Sequence, residues 1–243
     1  MAVLRCVQCG TQNRDGSGYC GGCGAALPVS VAAGGVHKLR VVPAGGGETR
    51  IVELPAGEWS VGRDPECKVL LDDPFVSPRH AQLVAGPTLH LSDLGSANGT
   101  WLRVRAPAVL RAGDELRMGR QRLRVEAVPA PAGATGGGRI WGSPAVGHRF
   151  RLVQLLEGGG SAEALAMSDG DYLIGRDEGG MTFPGDLAIS GRHAVLTINA
   201  EKASLRDLGS ANGTFLRLRT DCDLQVGDHL LVGMQQLRYE ASA

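Results

Sequence analysis

Short apolar runs separated by glycine- and proline-rich breaks dominate this chain. Residues 39–42 (LRVV), 50–54 (RIVEL) and 80–84 (HAQLV) alternate apolar and polar positions or are short and largely apolar. A period near two residues is typical of half-buried β-strands, whereas an amphipathic helix repeats every three to four residues. The pattern predicts an all-β protein with two antiparallel β-sandwiches of about 10 to 11 short strands each.

The two strand-rich blocks are copies of each other. The first contains VGRD at 61–64, SPRH at 77–80 and DLGSANGT at 93–100, and the second contains IGRD at 174–177, SGRH at 190–193 and DLGSANGT at 207–214. A Gly-Asp pair follows at 113–114 and again at 227–228. Two copies indicate domain duplication rather than a solenoid. We refer to residues 37–127 as the first copy and to residues 148–243 as the second copy.

Amino-acid composition indicates where the linkers lie and which classes of partner are disfavoured. Segments 25–36 and 128–147 are rich in Ala, Pro and Gly and predict flexible linkers, which leaves residues 1–24 as a separate N-terminal segment. Lys plus Arg and Asp plus Glu number 25 each, so the formal charge is zero, which argues against binding to nucleic acid or to a membrane surface. We see no apolar run of transmembrane length and no secretory leader, so we expect a cytoplasmic location.

Two C-x-x-C-G turns occupy the N-terminal segment. Zinc prefers four thiolates at tetrahedral corners, and each turn presents two sulfurs to one metal. The spacing resembles the zinc-ribbon family over residues 5–25, which implies a structural Zn²⁺ with no open coordination position. Redox chemistry is the alternative for a single C-x-x-C, but no βαβ pattern surrounds these turns. The predicted zinc ligands are Cys6, Cys9, Cys20 and Cys23. The two remaining cysteines, Cys67 and Cys222, are interpreted as ordinary free thiols.

The ordered motifs G-R, S-x-x-H, D-L-G-S-x-N-G-T and G-D resemble the forkhead-associated (FHA) family. Each motif alone is weak, but four in the same order, present twice, cover about 200 of the 243 residues. The resemblance implies an adaptor in Ser/Thr kinase signalling that binds phosphothreonine peptides. Its partners would be phosphothreonine-containing proteins, including a Ser/Thr kinase or its substrates.

The chemistry of phosphothreonine recognition fits the repeated polar residues. The phosphate carries about −1.5 to −2 charge and three acceptor oxygens, so it needs a cation and several aimed donors. In a sandwich such donors converge from loops at one end of the sheets. The resemblance assigns the arginine and serine to the phosphate and the asparagine to the peptide main chain. The candidate residues are Arg63, Ser77 and Asn98 in the first copy and Arg176, Ser190 and Asn212 in the second.

Each of these residues could instead have a purely structural role without any ligand. The two arginines could pair with Asp64 and Asp177, the serines could close turns, and Asn-Gly is a common hairpin signal without any ligand. His80 and His193 are interpreted as buried braces for the loops.

The sequence also departs from the family pattern. A threonine that often precedes the asparagine is Ala97 or Ala211 here, and Pro78 or Gly191 follows the serine. Each copy would therefore lose one or two phosphate contacts, each worth about 1.5–3 kcal/mol. Arg79 and Arg192 would partly restore positive charge, or would point into solvent.

Two other functions stay open from the sequence. A phosphate-independent assembly protein would explain the missing phosphate contacts, and a nucleic-acid binder led by the zinc segment is a further alternative. The sequence shows no nucleophile with a matched base, no phosphate-cradling loop and no catalytic metal set, so we do not expect an enzyme.

Overall fold

The computed structural model describes residues 3–6, 10–14, 20, 27, 36–43, 48–129, 141–143, 147–200 and 202–240. The segments predicted as linkers, 25–36 and 128–147, lie largely outside these residues. Every regular element within them is a β-strand, so the described part contains no helix that could cross a membrane.

The N-terminal segment begins with a small hairpin. β1 (Val3–Arg5) pairs antiparallel with β2 (Gln12–Arg14). Two main-chain hydrogen bonds lie next to the hairpin strands, from Gly10 N to Cys6 O and from Cys6 N to Thr11 O, both 2.8 Å. The hairpin thereby fixes the position of the first predicted zinc ligand.

Residues 1–103 and 215–243 form one compact unit, which we call the first unit. One of its sheets has the order β6-β5-β7-β8-β20. In its other sheet, β4 pairs with β3, β3 with β22, β22 with β21, and β21 with β9, which also pairs with β19. The strands are β3 (His37–Val42), β4 (Arg50–Leu54), β5 (Gly57–Gly62), β6 (Val69–Leu70), β7 (Ala81–Ala85), β8 (Leu89–Asp93), β9 (Thr100–Arg103), β19 (Thr214–Arg217), β20 (Cys222–Leu224), β21 (His229–Val232) and β22 (Gln235–Glu240).

Residues 104–214 form the second unit. One sheet has the order β10-β18-β17-β15-β16, and β14, β13, β12 and β11 pair in that order in the other. The strands are β10 (Ala108–Leu110), β11 (Glu115–Met118), β12 (Gln121–Ala127), β13 (Phe150–Leu155), β14 (Ser161–Met167), β15 (Gly170–Gly175), β16 (Met181–Thr182), β17 (Ala194–Asn199) and β18 (Lys202–Asp207).

Alternating burial along the strands creates the core of each unit. In β3 and β7 every second side chain is buried, as a sandwich requires when one face of each sheet packs inward. The core of the first unit contains side chains from both ends of the chain, for example Leu39 and Leu83 with Leu230 and Leu237. The predicted all-β class is confirmed. A short parallel pair in each unit, β5 with β6 and β15 with β16, is the exception to antiparallel pairing.

The compact units do not coincide with the sequence copies at 37–127 and 148–243. Each copy contributes ten strands within the described residues, as the pattern predicts. However, β10 to β12 of the first copy lie in the second unit, and β19 to β22 of the second copy lie in the first unit. Each compact unit therefore combines strands from both sequence copies.

Candidate functional site

The loop that carries Ser77 is joined to the loop that carries Asn98. Ser77 Oγ accepts a hydrogen bond from Ala97 N at 3.1 Å, and Ser77 N donates to His80 Nδ1 at 3.0 Å. Because Nδ1 accepts, the ring proton lies on Nε2, which donates to Gly99 O at 3.1 Å. The fully buried imidazole thus connects both loops, which is the brace role predicted for it.

Asn98 and Arg63 are attached to the same serine loop. Asn98 Nδ2 donates to Phe75 O at 2.9 Å, and Arg63 Nε donates to Val76 O at 3.1 Å. Main-chain bonding fixes the base of the arginine, because Arg63 N donates to Ser77 O at 3.1 Å. The structure therefore brings the three predicted residues of the first copy together at one group of loops.

The second copy repeats this arrangement almost bond for bond. Ala211 N donates to Ser190 Oγ at 3.2 Å, and Ser190 N donates to His193 Nδ1 at 3.1 Å. Asn212 Nδ2 donates to Ala188 O at 2.8 Å. These contacts are the same in both copies, so the loop geometry does not depend on the loop residues that differ between the copies.

The two arginines differ in their partners. Arg176 pairs with Asp177, with Nη2 to Oδ2 at 2.9 Å and Nε to Oδ1 at 3.1 Å, and this hydrogen bonding raises the pKa of Arg176. In the first copy the equivalent Asp64 instead accepts from Glu66 N at 2.9 Å. The alternative of an arginine–aspartate pair is therefore seen in the second copy, while Arg63 is exposed and its Nε donates to the main chain at Val76 O.

Three further arginines surround the loops. Arg79 and Arg192 are exposed, and Arg192 Nη1 lies 3.6 Å from Glu178 Oε2, so that its charge is directed to a carboxylate. Arg217 is half-buried against Gly99, where an added Cβ would clash with its side chain. Arg217 belongs to the second copy in sequence, yet it lies beside the asparagine loop of the first.

An aspartate that the sequence reasoning did not single out supports each asparagine loop. Asp93 accepts from Thr100 Oγ1 at 2.6 Å, from Ser96 Oγ at 2.7 Å and from Ser96 N at 2.8 Å. Burial opposes the ionisation of this carboxyl, but the three hydrogen bonds outweigh it and lower the pKa of Asp93. Asp207 has the same network and the same shift. The identical octapeptide in both copies was the signal that could have revealed these residues.

A second buried aspartate, four residues before each serine, was also missed. Asp73 Oδ1 accepts from Phe75 N at 2.8 Å, and its Oδ2 accepts from Met234 N at 2.7 Å. Asp186 similarly accepts from Ala188 N at 3.1 Å and from Arg120 N at 2.8 Å. Both carboxylates tie the serine loop to a turn at the start of the last strand of the other copy.

Two of the four predicted zinc ligands fall within the described residues. Cys6 and Cys20 are buried in one small cluster with Leu27, and Asn13 Nδ2 donates to Cys20 Sγ at 3.5 Å. Cys9 and Cys23 lie outside the described residues. An amide N–H donated to a cysteine sulfur beside a second cysteine is the kind of outer contact that supports zinc ligands.

Family models match both parts of the chain. The FHA domain model matches residues 59–119 and 172–233, together just over half of the chain, and a zinc-ribbon domain model matches residues 5–27. The sequence-based prediction of both families is confirmed.

Curated relatives match short stretches of the chain, of 68 and 74 residues in the two cases that follow. Over 68 residues the chain is 44% identical to the glycogen accumulation regulator GarA of Mycolicibacterium smegmatis, covering 26% of this chain and 42% of that protein. Over 74 residues it is 40% identical to an oxoglutarate dehydrogenase inhibitor of Corynebacterium efficiens, covering 29% and 52%. The chain thus spans about half the length of these relatives. The solved FHA domain of the CT664 protein from Chlamydia trachomatis aligns with 86% of this chain and 99% of its own, at 13% identity and a TM-score of 0.37.

Proposed function

Because the chain belongs to the FHA domain family, we propose that it is a phosphothreonine-peptide-binding adaptor in Ser/Thr kinase signalling. One observation carries the proposal. In both copies matching hydrogen bonds hold a serine hydroxyl and an asparagine amide at the same loops, and the main-chain N–H of the preceding arginine donates to the serine carbonyl. Preorganised donors around one cation are what a dianionic phosphate requires.

Each group has a distinct role in the proposed complex. The Nη groups of Arg63 meet the phosphate, Ser77 Oγ donates its proton to a phosphate oxygen while it accepts from Ala97 N, and Asn98 Oδ1 accepts a peptide N–H. Arg176, Ser190 and Asn212 act in the same way in the second copy, and Arg79 and Arg192 add positive charge beside the serines. One phosphate anchor on an extended peptide corresponds to a Kd of roughly micromolar, about −8 kcal/mol.

The two sites are unequal in this proposal. Arg176 must leave Asp177 before it can meet a phosphate, whereas Arg63 pairs with no carboxylate in the part of the chain that the structure describes. The first site therefore binds more tightly, and the second contributes mainly when a partner carries two phosphothreonines.

The partners are phosphothreonine-containing proteins, among them a Ser/Thr kinase or its substrates. The matched relatives are named as a regulator and as an enzyme inhibitor, and we extend to this chain the regulation of other proteins by binding. We expect a cytoplasmic protein that has no catalytic activity of its own.

We also propose that Cys6, Cys9, Cys20 and Cys23 hold one structural Zn²⁺. The zinc-ribbon match and the burial of Cys6 beside Cys20 support it. Four thiolates would close the coordination shell, so the metal would hold the N-terminal segment together and would leave substrate chemistry untouched.

A phosphopeptide library tests the main proposal. Phosphothreonine peptides, and not their unphosphorylated forms, should be retained by the full chain, and retention should fall in Arg63→Ala. Arg238→Ala, which removes the same charge from the exposed middle of β22, is the matched control and should bind normally. Retention that is equal with and without phosphate would instead support a phosphate-independent assembly protein.

A further inference from the structure

The last three strands of each copy complete the unit that carries the site of the other copy. β20, β21 and β22 follow the second site in sequence but pair with β8, β9 and β3 of the first copy. Reciprocally, β10 and β12 of the first copy pair with β18 and β13 of the second. The chain passes from the first unit to the second after β9 and returns to the first unit at the start of β19.

Side-chain complementarity favours this exchange over the arrangement in which each copy keeps its own strands. His37 and Tyr239 are each 1% exposed, and His37 Nδ1 lies 2.6 Å from the Tyr239 hydroxyl. In the second unit the strand registers place Phe150 at the position of His37 and Val125 at the position of Tyr239. The exchange therefore pairs two polar side chains in the first unit and two apolar side chains in the second. Without exchange, the buried His37 ring would face Val125 and lose a hydrogen-bond partner.

A second cross-copy contact points the same way. Asp223 in β20 hydrogen-bonds to His90 Nδ1 at 2.9 Å and to Thr88 Oγ1 at 3.2 Å. The equivalent residue of the first copy is Val109, which lies opposite Ser204 in β18. Keeping each copy's own strands would put Val109 beside His90, where it offers no acceptor.

We propose that the two copies exchange their last three strands within one chain, and that each phosphopeptide site is consequently positioned by a turn of the other copy. The statement about the sites rests on the proposed function, and the exchange itself does not. In the first unit, Met234 N binds the same Asp73 carboxylate that organises the serine loop through Phe75 N. In the second, Arg120 N and Gln121 Nε2 bind Asp186 at 2.8 and 2.9 Å.

The glycine of each turn is the point of closest approach. Gly233 has φ +60°, and a Cβ there would lie 2.7 Å from Val76 Cγ2 and 3.0 Å from Asp73 Oδ2. A Cβ at Gly119, which has φ +54°, would lie 2.8 Å from Ile189 Cγ1. Val76 and Ile189 directly precede the two site serines. Either substitution would therefore displace a serine loop that belongs to the other copy.

Disulfide formation tests the exchange without any ligand. His90 and Asp223 are directly opposed and partly exposed, and opposed antiparallel Cα atoms lie about 4.5–5.5 Å apart, within reach of a disulfide. In the His90→Cys/Asp223→Cys chain, mild oxidation should join positions 90 and 223 in a protein of monomer mass, as mapped by mass spectrometry of its peptides. The control Ser204→Cys/Asp223→Cys should not link. A 204–223 link, or no 90–223 link, overturns the exchange.

Peptide affinity then tests the reciprocal positioning. In a Ser190→Ala background, which reports the first site, Gly233→Ala should weaken binding of a phosphothreonine peptide at least about ten-fold. In a Ser77→Ala background, which reports the second site, the same change should have no effect. Gly119→Ala should give the reverse pattern, and losses confined to the copy that carries the substitution would overturn the proposal. If no phosphopeptide binds the wild type, the proposed function fails, and the disulfide result still decides the exchange.

Discussion

Removal of the Asp93 carboxylate should destabilise the first unit by about 2–4 kcal/mol. Its oxygens accept from Thr100 Oγ1 and from both the main chain and the hydroxyl of Ser96. Thr100 and Ser96 are only 1% and 6% exposed, so water does not replace the carboxylate easily. Each buried donor left without a partner costs about 1–3 kcal/mol, and the hydroxyls recover part of this by rotating whereas the Ser96 N–H does not.

Urea denaturation of Asp93→Ala, followed by tryptophan fluorescence, measures this loss. The second copy supplies a matched variant, Asp207→Ala, with distances that agree within about 0.1 Å and an expected penalty of the same size in the second unit. Phosphopeptide binding should fall only at the site whose aspartate is removed, because the network holds the asparagine loop.

The pH dependence gives a second check on the same residue. Hydrogen bonding holds the pKa of Asp93 below its ordinary value of 3.8, so its stabilisation is complete above that pH and is lost as the pH falls through the folded-state pKa. The stability difference between wild type and Asp93→Ala should therefore shrink below about pH 4. A penalty under about 0.5 kcal/mol at pH 7, or one that stays constant down to pH 2, would refute the reasoning.

Three further predictions follow from individual contacts. Asp177→Asn should release Arg176 and strengthen phosphopeptide binding at the second site about two- to five-fold. Asp64→Asn should change the affinity of the first site less, and equal gains in affinity from the two variants would exclude the ion pair as the cause. Burial lowers the pKa of His80, so stability should be complete above about pH 6.5 and decline as the pH falls below it, and the melting temperature of His80→Gln should be less sensitive between pH 7 and pH 5. Elemental analysis of the purified chain should find one zinc ion, which a strong chelator should remove. The Cys6→Ser variant should lack this zinc, and a zinc content of zero in freshly isolated wild-type protein would contradict the four-thiolate site.

The strand pattern and the repeated motifs predicted the fold class, the duplication and the clustering of the site residues. These features follow from local periodicity and from turn chemistry, which a single sequence records. The Ser77 and Asn98 loops, for example, are joined by contacts that recur at Ser190 and Asn212 because the surrounding octapeptide is identical. The sequence therefore predicted which candidate side chains the joined loops carry.

The assignment of the last strands to a copy could not be predicted from these signals. Both copies offer the same Gly-Asp turn and strands of similar pattern, so periodicity does not distinguish one set of partners from the other. The information lies in long-range pairs such as His37 with Tyr239, which are 202 positions apart. The sequence pattern treated both residues as ordinary strand positions.

The local motif also could not predict that Arg63 and Arg176 have different hydrogen-bond partners. VGRD and IGRD are nearly identical, yet Asp64 caps the turn that follows it through Glu66 N while Asp177 faces its neighbouring arginine. The downstream loops differ, since the second contains two glycines at 179 and 180 where the first has a hydrogen-bonded turn at Cys67. The Asp177 carboxylate therefore accepts from the Arg176 guanidinium, whereas the Asp64 carboxylate accepts from the main chain of its turn.

Calorimetric titration of the full chain with one phosphothreonine peptide tests the central claim most directly. The account predicts two binding events, the tighter one lost in Arg63→Ala/Ser77→Ala and the weaker one lost in Arg176→Ala/Ser190→Ala, with no heat from the unphosphorylated peptide. Binding of the same affinity without the phosphate, or no saturable binding of the phosphorylated peptide, would contradict it.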